Sequence, residues 1–496
     1  MRAFKLLILL LFASSVLQAK TLEIGTGFTY QNLNNAAKDV APGDTILFHK
    51  GQYTGNQFLS NLQGEPSKWI YITTSPGDEV IISGGGYSWM LSDPAYIRIS
   101  GFIFERQTGN GMNIDDAGTF DTPAHNIIIE NCIFRDINAT GNNDLLKLSG
   151  VDSILVSNCL FINGAAGGSM IDMVGCHFSD FRGNIFRNAG SNCIQTKGGS
   201  QNITIERNIF INGGQRSLNI GGSTGIQYFR PQGVDFEASN IFAYSNIFYG
   251  STSPVAFVGA VYSEVINNTI ITPDKWVVRI LQETTLANFK KCQNNTFANN
   301  IVYINNKGIS ENGINIGSNT EPETFIFTNN LWYNYENPNW KIPNSSIIHL
   351  NTIFGLNPKL TNISDSVLTL TDSSPAIGMG IPGKNKKDFQ GKDFKSPPSI
   401  GAYEYYGVSS AENYIQDITA GIFPLPASDF IKIKIMGNHI PALVEIYNFT
   451  GIKSIYSKFC FSDGIVTIDI GDLEPGCYSL KIFFEREFKI WKFIKI

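Results

Sequence analysis

The sequence predicts an all-β protein in which short strands recur along the chain. Of its 496 residues, 43% are hydrophobic, 16% are charged and 48 are Gly. A chain of this composition is too apolar to be disordered and too poor in Lys, Glu and Arg to form long surface helices. The second observation is internal repetition, because an Asn followed by apolar or β-branched residues returns with a period of about 24 residues. Together, the composition and the repeat favour short strands that stack on the equivalent strands of neighbouring repeats.

The repeated Asn residues indicate how the strands are arranged. One coil of that length cannot bury its own apolar side chains, but stacked coils bury them between successive turns of the chain. An Asn at the same corner of each coil can pair its amide with the Asn residues above and below it. The sequence therefore predicts a right-handed parallel β-helix over residues 20–406. The repeated positions are Asn131, Asn158, Asn184, Asn208, Asn246, Asn268, Asn300 and Asn330.

The N-terminal region carries two further predictions. Residues 1–19 read as a signal peptide, because Arg2 and Lys5 precede an apolar run that is too short to span a bilayer. Residues 29–40 are predicted to form a helix that covers the first coil. No later segment has the roughly 20 uninterrupted apolar residues of a membrane helix, so we expect no transmembrane segment.

The C-terminal region changes character. Short alternating strands separated by Gly-containing turns predict a small β-sandwich over residues 422–496, joined to the β-helix by a linker at residues 407–421. The predicted strands are residues 431–435, 444–447, 465–470 and 478–483.

Four phrases of this region resemble the sorting domain that ends exported proteins of the Bacteroidetes type IX secretion system. They are residues 423–429 (FPLPASD), 446–451 (IYNFTG), 476–480 (GCYSL) and 492–496 (KFIKI). Leu425 stands where the family usually has an Asn between the two prolines. The resemblance implies that the type IX secretion machinery is a partner and that the protein is secreted or held at the outer-membrane surface.

Other phrases resemble the pectate-lyase-like β-helix superfamily of secreted, polysaccharide-active proteins. Residues 42–48 (PGDTILF), 374–378 (SPAIG) and 399–405 (SIGAYEY) are similar to its first-coil and last-coil phrases. The likeness covers residues 20–406 and implies the fold, whereas these phrases specify the substrate hardly at all. The Asp clusters of β-helix polygalacturonases, and the phrases around calcium and Arg in pectate lyases, are missing from the sequence.

The charge balance excludes nucleic acid as a partner. The chain has 37 Lys and Arg against 42 Asp and Glu, for a formal net charge of −5. A nucleic-acid binder needs a basic footprint for its phosphate contacts, and none is present.

Cys132 and Cys159 follow an Asn in near-identical phrases, and we interpret them as small core residues stacked in the repeat, with a disulfide or a catalytic thiol as the alternative. We expect a monomer.

A polar stripe is predicted on one sheet of the β-helix. Six segments that follow the Asn turns align in one register, with a polar column between two apolar columns. Since side chains alternate between the two faces of a strand, the polar column points outward. Outward residues are often polar only because they contact water, but cations, a carboxylate and amides in successive coils favour the lining of a saccharide groove. The column reads Lys147, Asp172, Gln195, Asn219, Ala256 and Arg279.

Strand spacing selects a catalytic centre within this stripe. Adjacent parallel strands are about 4.8 Å apart, so Lys147 and Arg279 are roughly 24 Å apart and would border different sugars. Lys197 lies two residues after Gln195 and therefore on the same face. The predicted centre spans only two strand steps and consists of Asp172, Gln195, Lys197 and Asn219.

A long coil after Asn219 predicts a loop beside the groove. Tyr228 and Arg230 on this loop are candidates to stack on a sugar and to hold a carboxylate or sulfate. The alternative is that the aromatic side chains of the loop pack on the wall of the β-helix. Trp276 would extend the site in the following coil.

The first functional hypothesis is a lyase that cleaves an acidic polysaccharide by β-elimination. This reaction needs a group that neutralises the uronate carboxylate, a base for the proton on the adjacent carbon, and an acid for the leaving oxygen. Arg230 or Arg279 is the candidate neutraliser, Lys197 or His177 the base, and Tyr228 the acid. For His177, a structural role is the alternative.

Calcium is the alternative neutraliser. Asp172 with Asn219 or Glu237 would supply the hard oxygen ligands that this ion prefers. The sequence contains no recognisable calcium-binding motif.

Two other functions stay open. A glycoside hydrolase requires two carboxyl groups flanking one bond. The stripe supplies Asp172, and the second would come from Asp144, Asp180, Glu237 or Glu283. A non-catalytic β-helix for adhesion or glycan binding would keep aromatic and amide side chains, but it has no need for Lys197 beside Asp172.

Overall fold

Most coils of the β-helix contribute one strand to each of three parallel sheets, which we name A, B and C in the order in which a coil visits them. The computed structural model describes residues 19–342, 346–361, 368–407, 419–423, 427–435, 443–448, 453–456, 459–462, 464–483 and 488–495. The predicted signal peptide, apart from its last residue, and residues 408–418 of the predicted linker lie outside the described residues.

Sheet A supplies the longest inward-facing surface. In the strand Ala95–Ser100, alternate residues are buried, because every second side chain points into the core. Parallel pairing keeps these side chains in register from coil to coil, as in Ile97 beside Ile127. The sheet has 14 described strands: Thr21–Ile24, Thr45–Phe48, Ile70–Thr74, Ala95–Ser100, Ala124–Glu130, Val151–Ser157, His177–Arg182, Ser200–Glu206, Ala238–Tyr244, Ala260–Val261, Glu264–Ile266, Thr296–Ala298, Ile326–Thr328 and His349–Leu350.

Sheet B follows sheet A after a tight corner. A stack of Phe rings runs through its inner face, with ring centroids of successive coils 4.7 to 5.0 Å apart. The 12 described strands are Gly51–Thr54, Val80–Ser83, Ile103–Glu105, Ile133–Arg135, Leu160–Ile162, Ile185–Arg187, Ile209–Ile211, Ile247–Tyr249, Thr269–Ile271, Ile301–Ile304, Leu331–Asn334 and Ile353–Phe354.

Sheet C carries the predicted polar stripe. Its inner residues are apolar and buried, as are Ile171 and Met173 in the strand Ser169–Val174. The 10 described strands are Gln57–Ser60, Trp89–Ser92, Met112–Asp115, Leu146–Ser149, Ser169–Val174, Asn192–Lys197, Arg216–Gly221, Ser253–Val258, Val278–Leu281 and Ile314–Ile316.

An Asn ladder fills the corner between sheets A and B from Asn184 to Asn330. The backbone N–H and the side-chain amide of Asn184 both donate to Oδ1 of Asn208, at 2.9 and 3.1 Å. The same contacts repeat through Asn246, Asn268 and Asn300 to Asn330. These six predicted positions are confirmed as a ladder, in which the Asn side chains link neighbouring coils.

Asn131 and Asn158 were wrongly placed in this ladder. They lie one residue earlier, at the position occupied by Gly183 in the next coil, and adopt φ values of 52° and 53°. The ladder position in their coils holds Cys132 and Cys159, and the backbone N–H of Cys159 donates to Asn184 Oδ1. Asn tolerates the left-handed conformation better than most residues, so it suits both positions and the phrases look alike in sequence. Both thiols are free and buried, as we interpreted them.

Replacing Asn246 by Ala is expected to destabilise the β-helix by about 3 kcal/mol. The backbone N–H of Asn208 would lose its acceptor, and the carbonyl of Ile205 would lose the donor that now lies 2.8 Å away. Thermal unfolding of Asn246→Ala beside Asn337→Ala, which removes an exposed amide, measures the difference. Equal unfolding midpoints for the two variants would contradict a stabilising role of the ladder.

The N-terminal helix is much shorter than predicted. It covers only Leu33–Ala36, with the side chain of Asn32 accepting a hydrogen bond from the backbone N–H of Asn35. The Asn residues in this segment favour caps and turns over helix interiors, which explains why the predicted span of residues 29–40 was too long. Leu33 and Ala36 are buried, so the short helix still covers the first coil.

Residues after the last coil cover the outer face of sheet B. Leu370, Ala376 and Ile400 pack with Ile301 and Leu331, which point outward from that sheet. The phrases at residues 374–378 and 399–405 therefore form this cover. The last paired strands are His349–Leu350 and Ile353–Phe354, so the expected last-coil position of these phrases was wrong.

The C-terminal region forms the expected β-sandwich. Two antiparallel sheets share one core, which includes Ile431 and Ile433 from one sheet and Ile446 and Leu480 from the other. The four predicted strands are observed within one or two residues of their expected bounds. The described strands are Thr419–Phe423, Phe430–Ile435, Ile465–Asp469 and Phe459–Ser462 in one sheet, and Lys453–Tyr456, Leu443–Asn448, Gly476–Phe483 and Phe488–Lys495 in the other.

Candidate active site

The polar column of sheet C has the register that the sequence predicts. Lys147 pairs with Asp172, Asp172 with Gln195, and Gln195 with Asn219 on successive strands. Ala256 and Arg279 follow in the same register. The column continues to Asn113 on one side and Asn315 on the other, so the groove is longer than predicted.

Three loops lie beside the groove at the corner between sheets C and A, and the coils between the first two turn there on a Gly. They are residues 116–123, 222–237 and 282–295, and only the second was predicted. Arg230 Nε of the second loop donates to the carbonyl of Phe120 in the first, at 3.1 Å. The backbone N–H of Lys290 in the third loop donates to the carbonyl of Asp235, at 2.8 Å. The loops therefore brace one another beside the groove.

A pocket of about 510 Å³ opens between the first two loops and sheet C. Lys147 and Lys197 lie on its floor, and Tyr228 stands on its wall with 60% of its surface exposed. The pocket thus combines two cations and a phenol within reach of solvent. Its lining includes Asp115, Asp116, Phe120, Lys147, Lys197, Thr224, Tyr228 and Arg230.

Asp172 lies between the two lysines of the floor. Lys147 Nζ donates to Asp172 Oδ2, and Lys197 Nζ lies 3.3 Å from the same oxygen. Asp172 is only 1% exposed, and its Oδ1 has no hydrogen-bond partner among the described residues. This carboxylate therefore positions the two ammonium groups, and it is too deeply covered to contact a sugar directly as the sequence had suggested.

Asp144 gives Lys147 and Lys197 different electrostatic surroundings. Its carboxylate lies 3.6 Å from Lys147 Nζ and accepts a hydrogen bond from the backbone N–H of Ser169. Burial lowers the pKa of Lys147, but the charges of Asp172 and Asp144 outweigh it and raise that pKa above the usual value. Burial, together with the charge of Asp172, raises the pKa of Asp144 to about 6. Lys147 consequently stays a cation, whereas the one ion pair of Lys197 among the described residues is with Asp172.

Arg230 does not offer a free guanidinium to a substrate. Its Nη1 and Nη2 lie 2.6 and 2.8 Å from the two carboxylate oxygens of Asp152. Nη1 also donates to the carbonyl of Gly175 at 2.9 Å, and the residue is only 7% exposed. The sequence placed Arg230 correctly beside the pocket but assigned it wrongly, because its partners on sheet A could not be inferred from the loop alone.

His177 is part of the same buried cluster, on sheet A. Its Nε2 faces the carbonyls of Gly199 and Arg230, each at 3.3 Å, and its Nδ1 lies 3.1 Å from Arg230 Nη1. Both ring nitrogens are therefore occupied, and the ring is 6% exposed. The expected role of His177 as a base is wrong, and the structural alternative fits.

Glu237 is also occupied by the protein itself. Its carboxylate accepts hydrogen bonds from the backbone N–H groups of Gly198 and Thr224 and from the hydroxyls of Thr224 and Thr284. It is fully buried and ties the second and third loops to the turn after Lys197. Asp172 and Glu237 thus do not fit the calcium site that the sequence suggested, and no group of three or more His, Cys, Asp or Glu in the described residues is placed to hold a metal.

The remaining predicted groove residues lie further along sheet C. Gln195 Oε1 accepts from Ser169 and Asn192, and Asn219 Oδ1 accepts from Arg216 Nη1 at 3.3 Å. Arg279 stands over the ring of Trp276, with its guanidinium carbon 4.6 Å from the ring centroid. Trp276 is only 8% exposed, so it supports Arg279 and does not present a face to a sugar, as the sequence had suggested.

Several side chains of the site were missed in the sequence, among them Asp115 at the end of its strand. Asp116 and Phe120 line the pocket from the first loop, and Arg216 contacts Asn219 beside the groove. The signal for the first loop was available, since the coil from Asn113 to Lys147 is longer than its neighbours. Arg216 is three residues before Asn219, outside the aligned column, and only the folded strand shows that contact.

Comparison with known families agrees with this architecture. Residues 70–229 match the right-handed β-helix region family, and residues 421–496 match the secretion system C-terminal sorting domain. The chain is an exported right-handed β-helix protein. Its sorting domain indicates export through the type IX secretion system, and no helix within the described part of the chain is long and apolar enough to cross a membrane.

Solved structures with a similar fold include three polysaccharide- or oligosaccharide-active enzymes. Pectate lyase Pel9A is 14% identical over 78% of this chain and 96% of that chain, with a TM-score of 0.51, which shows a shared fold. An alginate lyase from Paenibacillus sp. str. FPU-7 is 15% identical over 62% and 99%, with a TM-score of 0.41. A GH136 lacto-N-biosidase from Eubacterium ramulus is 12% identical over 64% and 67%, with a TM-score of 0.37. No curated protein matches the sequence.

Proposed function

We propose that this β-helix protein is a polysaccharide lyase that cleaves an acidic, uronate-containing glycan by β-elimination in the groove of sheet C. The observation that carries the proposal is the convergence of Lys147, Lys197 and Tyr228 on one solvent-open pocket. These are the three kinds of group that the reaction needs, and the polar column extends from the pocket along the path of a bound chain.

The unequal surroundings of the two lysines assign their roles. Lys147, held charged by Asp172 and Asp144, neutralises the uronate carboxylate and thereby acidifies the proton on the adjacent carbon. Lys197, which forms an ion pair with Asp172 but none with Asp144, is assigned as the base that takes that proton.

Tyr228 completes the reaction from the opposite wall. As the bond from the β-carbon to the glycosidic oxygen breaks, the phenol donates its proton to the leaving oxygen. The electron pair of the broken carbon–hydrogen bond becomes the new double bond of the sugar. The proton taken by Lys197 and the proton lost by Tyr228 are exchanged with water before the next turnover.

The proposal is tested by incubating the exported protein with polygalacturonate, alginate and glucuronate-containing glycans. The likeness to Pel9A shows only the fold, but it makes polygalacturonate the first glycan to test. Elimination yields a conjugated double bond, which is followed by ultraviolet absorbance. New reducing ends without that absorbance on every glycan would refute the lyase and indicate hydrolysis.

Replacing Tyr228 by Phe is expected to lower kcat on a cleaved glycan about 100-fold while leaving KM within about twofold. The ring remains to contact the sugar, and only the proton donor is lost. Phe120→Leu, which changes another aromatic wall of the pocket, is the matched control and is expected to act mainly on KM. An unchanged kcat for Tyr228→Phe would exclude the phenol as the acid.

A glycoside hydrolase is the second candidate, because Asp115 and Asp116 both line the pocket. Burial raises the pKa of Asp116, as a catalytic acid would require. Asp115 is less suited to the second role, since its oxygens accept hydrogen bonds from Ser92, Asn113 and the backbone N–H of Ala117. Loss of reducing-end formation in Asp116→Asn, with no ultraviolet signal from the unchanged chain, would establish this alternative.

A further inference from the structure

A second cluster of cations lies on sheet C beyond the pocket. Arg216 Nη2 forms an ion pair with Glu283 at 2.8 Å, and its Nη1 contacts Asn219. Arg279 donates its Nε–H to Asn315 Oδ1 at 2.9 Å, and no described residue accepts from its two terminal nitrogens. Burial and the charge of Arg216 lower the pKa of Arg279, and the charges of Glu283 and Glu311 oppose this effect without outweighing it.

A small, buried residue separates the two arginines on sheet C. Ala256 occupies the outward column between Asn219 and Arg279, yet it is fully buried. An outward Ala is buried only if other groups lie over it. Arg279 is its neighbour in the column on one side, and on the other side Asn219 contacts Arg216.

The buried atoms of this cluster that lack a hydrogen-bond partner are donors. Arg216 Nε and Trp276 Nε1 are buried without a partner in the described chain, and no described residue accepts from the terminal nitrogens of Arg279. The two guanidinium groups also repel each other, and Glu283 and Glu311 offset that repulsion in part. An anionic ligand with hydrogen-bond acceptors would pair with the terminal nitrogens of Arg279 and reduce the remaining repulsion.

We propose that Arg216 and Arg279 form a second oxyanion subsite, which holds a carboxylate or sulfate of the glycan while the reacting sugar occupies the pocket. The Arg279 strand lies three steps from the Lys197 strand, a distance of about 14 Å. That distance is greater than one sugar, so this subsite binds an acidic group further along the chain. Glu283, which is 37% exposed, is displaced from Arg216 by the incoming anion.

This subsite makes the protein select long acidic chains. The inference rests on the proposed function for the choice of glycan, but the subsite is tested by binding, which does not require cleavage. We therefore use the Lys197→Ala chain throughout and titrate it with a dimer and a long oligomer of galacturonate, mannuronate and glucuronate. The variants Arg279→Gln and Arg216→Gln are compared with Arg187→Gln, which removes an exposed arginine from sheet B.

The expected result is a loss of about 10-fold or more in affinity for a long oligomer in Arg279→Gln and Arg216→Gln. Affinity for the dimer, and all affinities of Arg187→Gln, stay unchanged. A carboxyl-reduced oligomer is expected to bind both arginine variants and the parent alike. If sulfation of that reduced oligomer restores the difference, sulfate is a ligand of the subsite; if not, the ligand is the carboxylate.

The two proposals fail separately. Equal affinities of the arginine variants and the parent for every long oligomer, or no binding of any oligomer, would overturn the subsite. If the chain with Lys197 intact yields no unsaturated product, but the Arg279-dependent affinity is present, the lyase proposal falls and the subsite stands.

Discussion

Replacing Lys197 by Met is expected to lower β-elimination by at least about 100-fold while the β-helix stays folded. Met keeps the length and much of the apolar stem of Lys but cannot accept a proton. Lys197 lies at the end of the strand Asn192–Lys197, and its one ion pair within the described part of the chain is with Asp172. Asp172 keeps Lys147 as its nearer cation, so the substitution leaves no buried carboxylate without a counter-charge. Initial rates of ultraviolet absorbance on the cleaved glycan measure the effect.

Lys68→Met is the matched control for this variant. Lys68 is an exposed lysine on an early coil, and its only ion pair is with Glu65. The two variants should unfold at similar temperatures, because Lys68→Met loses an exposed ion pair and Asp172 keeps Lys147 as its counter-charge in Lys197→Met. If Lys197→Met were as active as Lys68→Met, the base would have to be another residue, and the assignment of Lys147 as the permanent cation would need to be reversed.

The groove of sheet C was predictable because its geometry follows from local rules. Side chains alternate along a strand and parallel strands stay in register, so aligning six segments was enough to place Lys147, Asp172 and Arg279 in one column. Lys197 followed from the same alternation. The alignment of strands could not show how deeply each side chain is buried. Asp172 is covered by Lys147 and Lys197, the two lysines that it positions.

Predictions for the loop residues were less successful because loops are defined by distant partners. Arg230 is 78 positions from Asp152 in the chain and 110 from Phe120. The repeat pattern of the sequence predicts neither contact. Glu237 similarly depends on Thr284 in another loop. A charged residue near a groove looks like a substrate-binding group in sequence. In the structure, the side chains of Arg230 and Glu237 are instead hydrogen-bonded to the protein and hold the loops together.

The Asn corner shows the same limit at the level of one residue. A left-handed residue and a ladder residue follow each other at this corner, and Asn is suited to both positions. Asn131 and Asn158 occupy the first position, and the ladder begins only at Asn184. The sequence predicted the period of the repeat. Which residue of each coil belongs to the ladder is shown only by the hydrogen bonds.

Replacing Arg230 by Met is expected to destabilise the loop 222–237 by about 3 kcal/mol and to abolish activity through loss of the pocket wall. The substitution leaves the Asp152 carboxylate without its cation and the carbonyls of Phe120 and Gly175 without a donor. Hydrogen exchange of the loop amides measures the opening. Arg230→Met combined with Asp152→Leu removes the orphaned charge and should recover part of the protection.

The Arg230–Asp152 pair also predicts how acid affects this loop. Burial raises the pKa of Asp152, but hydrogen bonds from Arg230 and His177, together with their charges, outweigh it and lower that pKa to about 2. The ordinary value is about 3.9, so the stabilisation is complete above roughly pH 4 and is lost as the pH falls through about 2. Hydrogen exchange of the loop amides should therefore accelerate in the parent as the pH falls from about 4 to about 2, relative to the intrinsic pH dependence of amide exchange. The Arg230→Met chain should lack this transition, because its Asp152 has lost the cation that lowered the pKa, and an identical acid transition in both chains would show that other carboxylates control the loop.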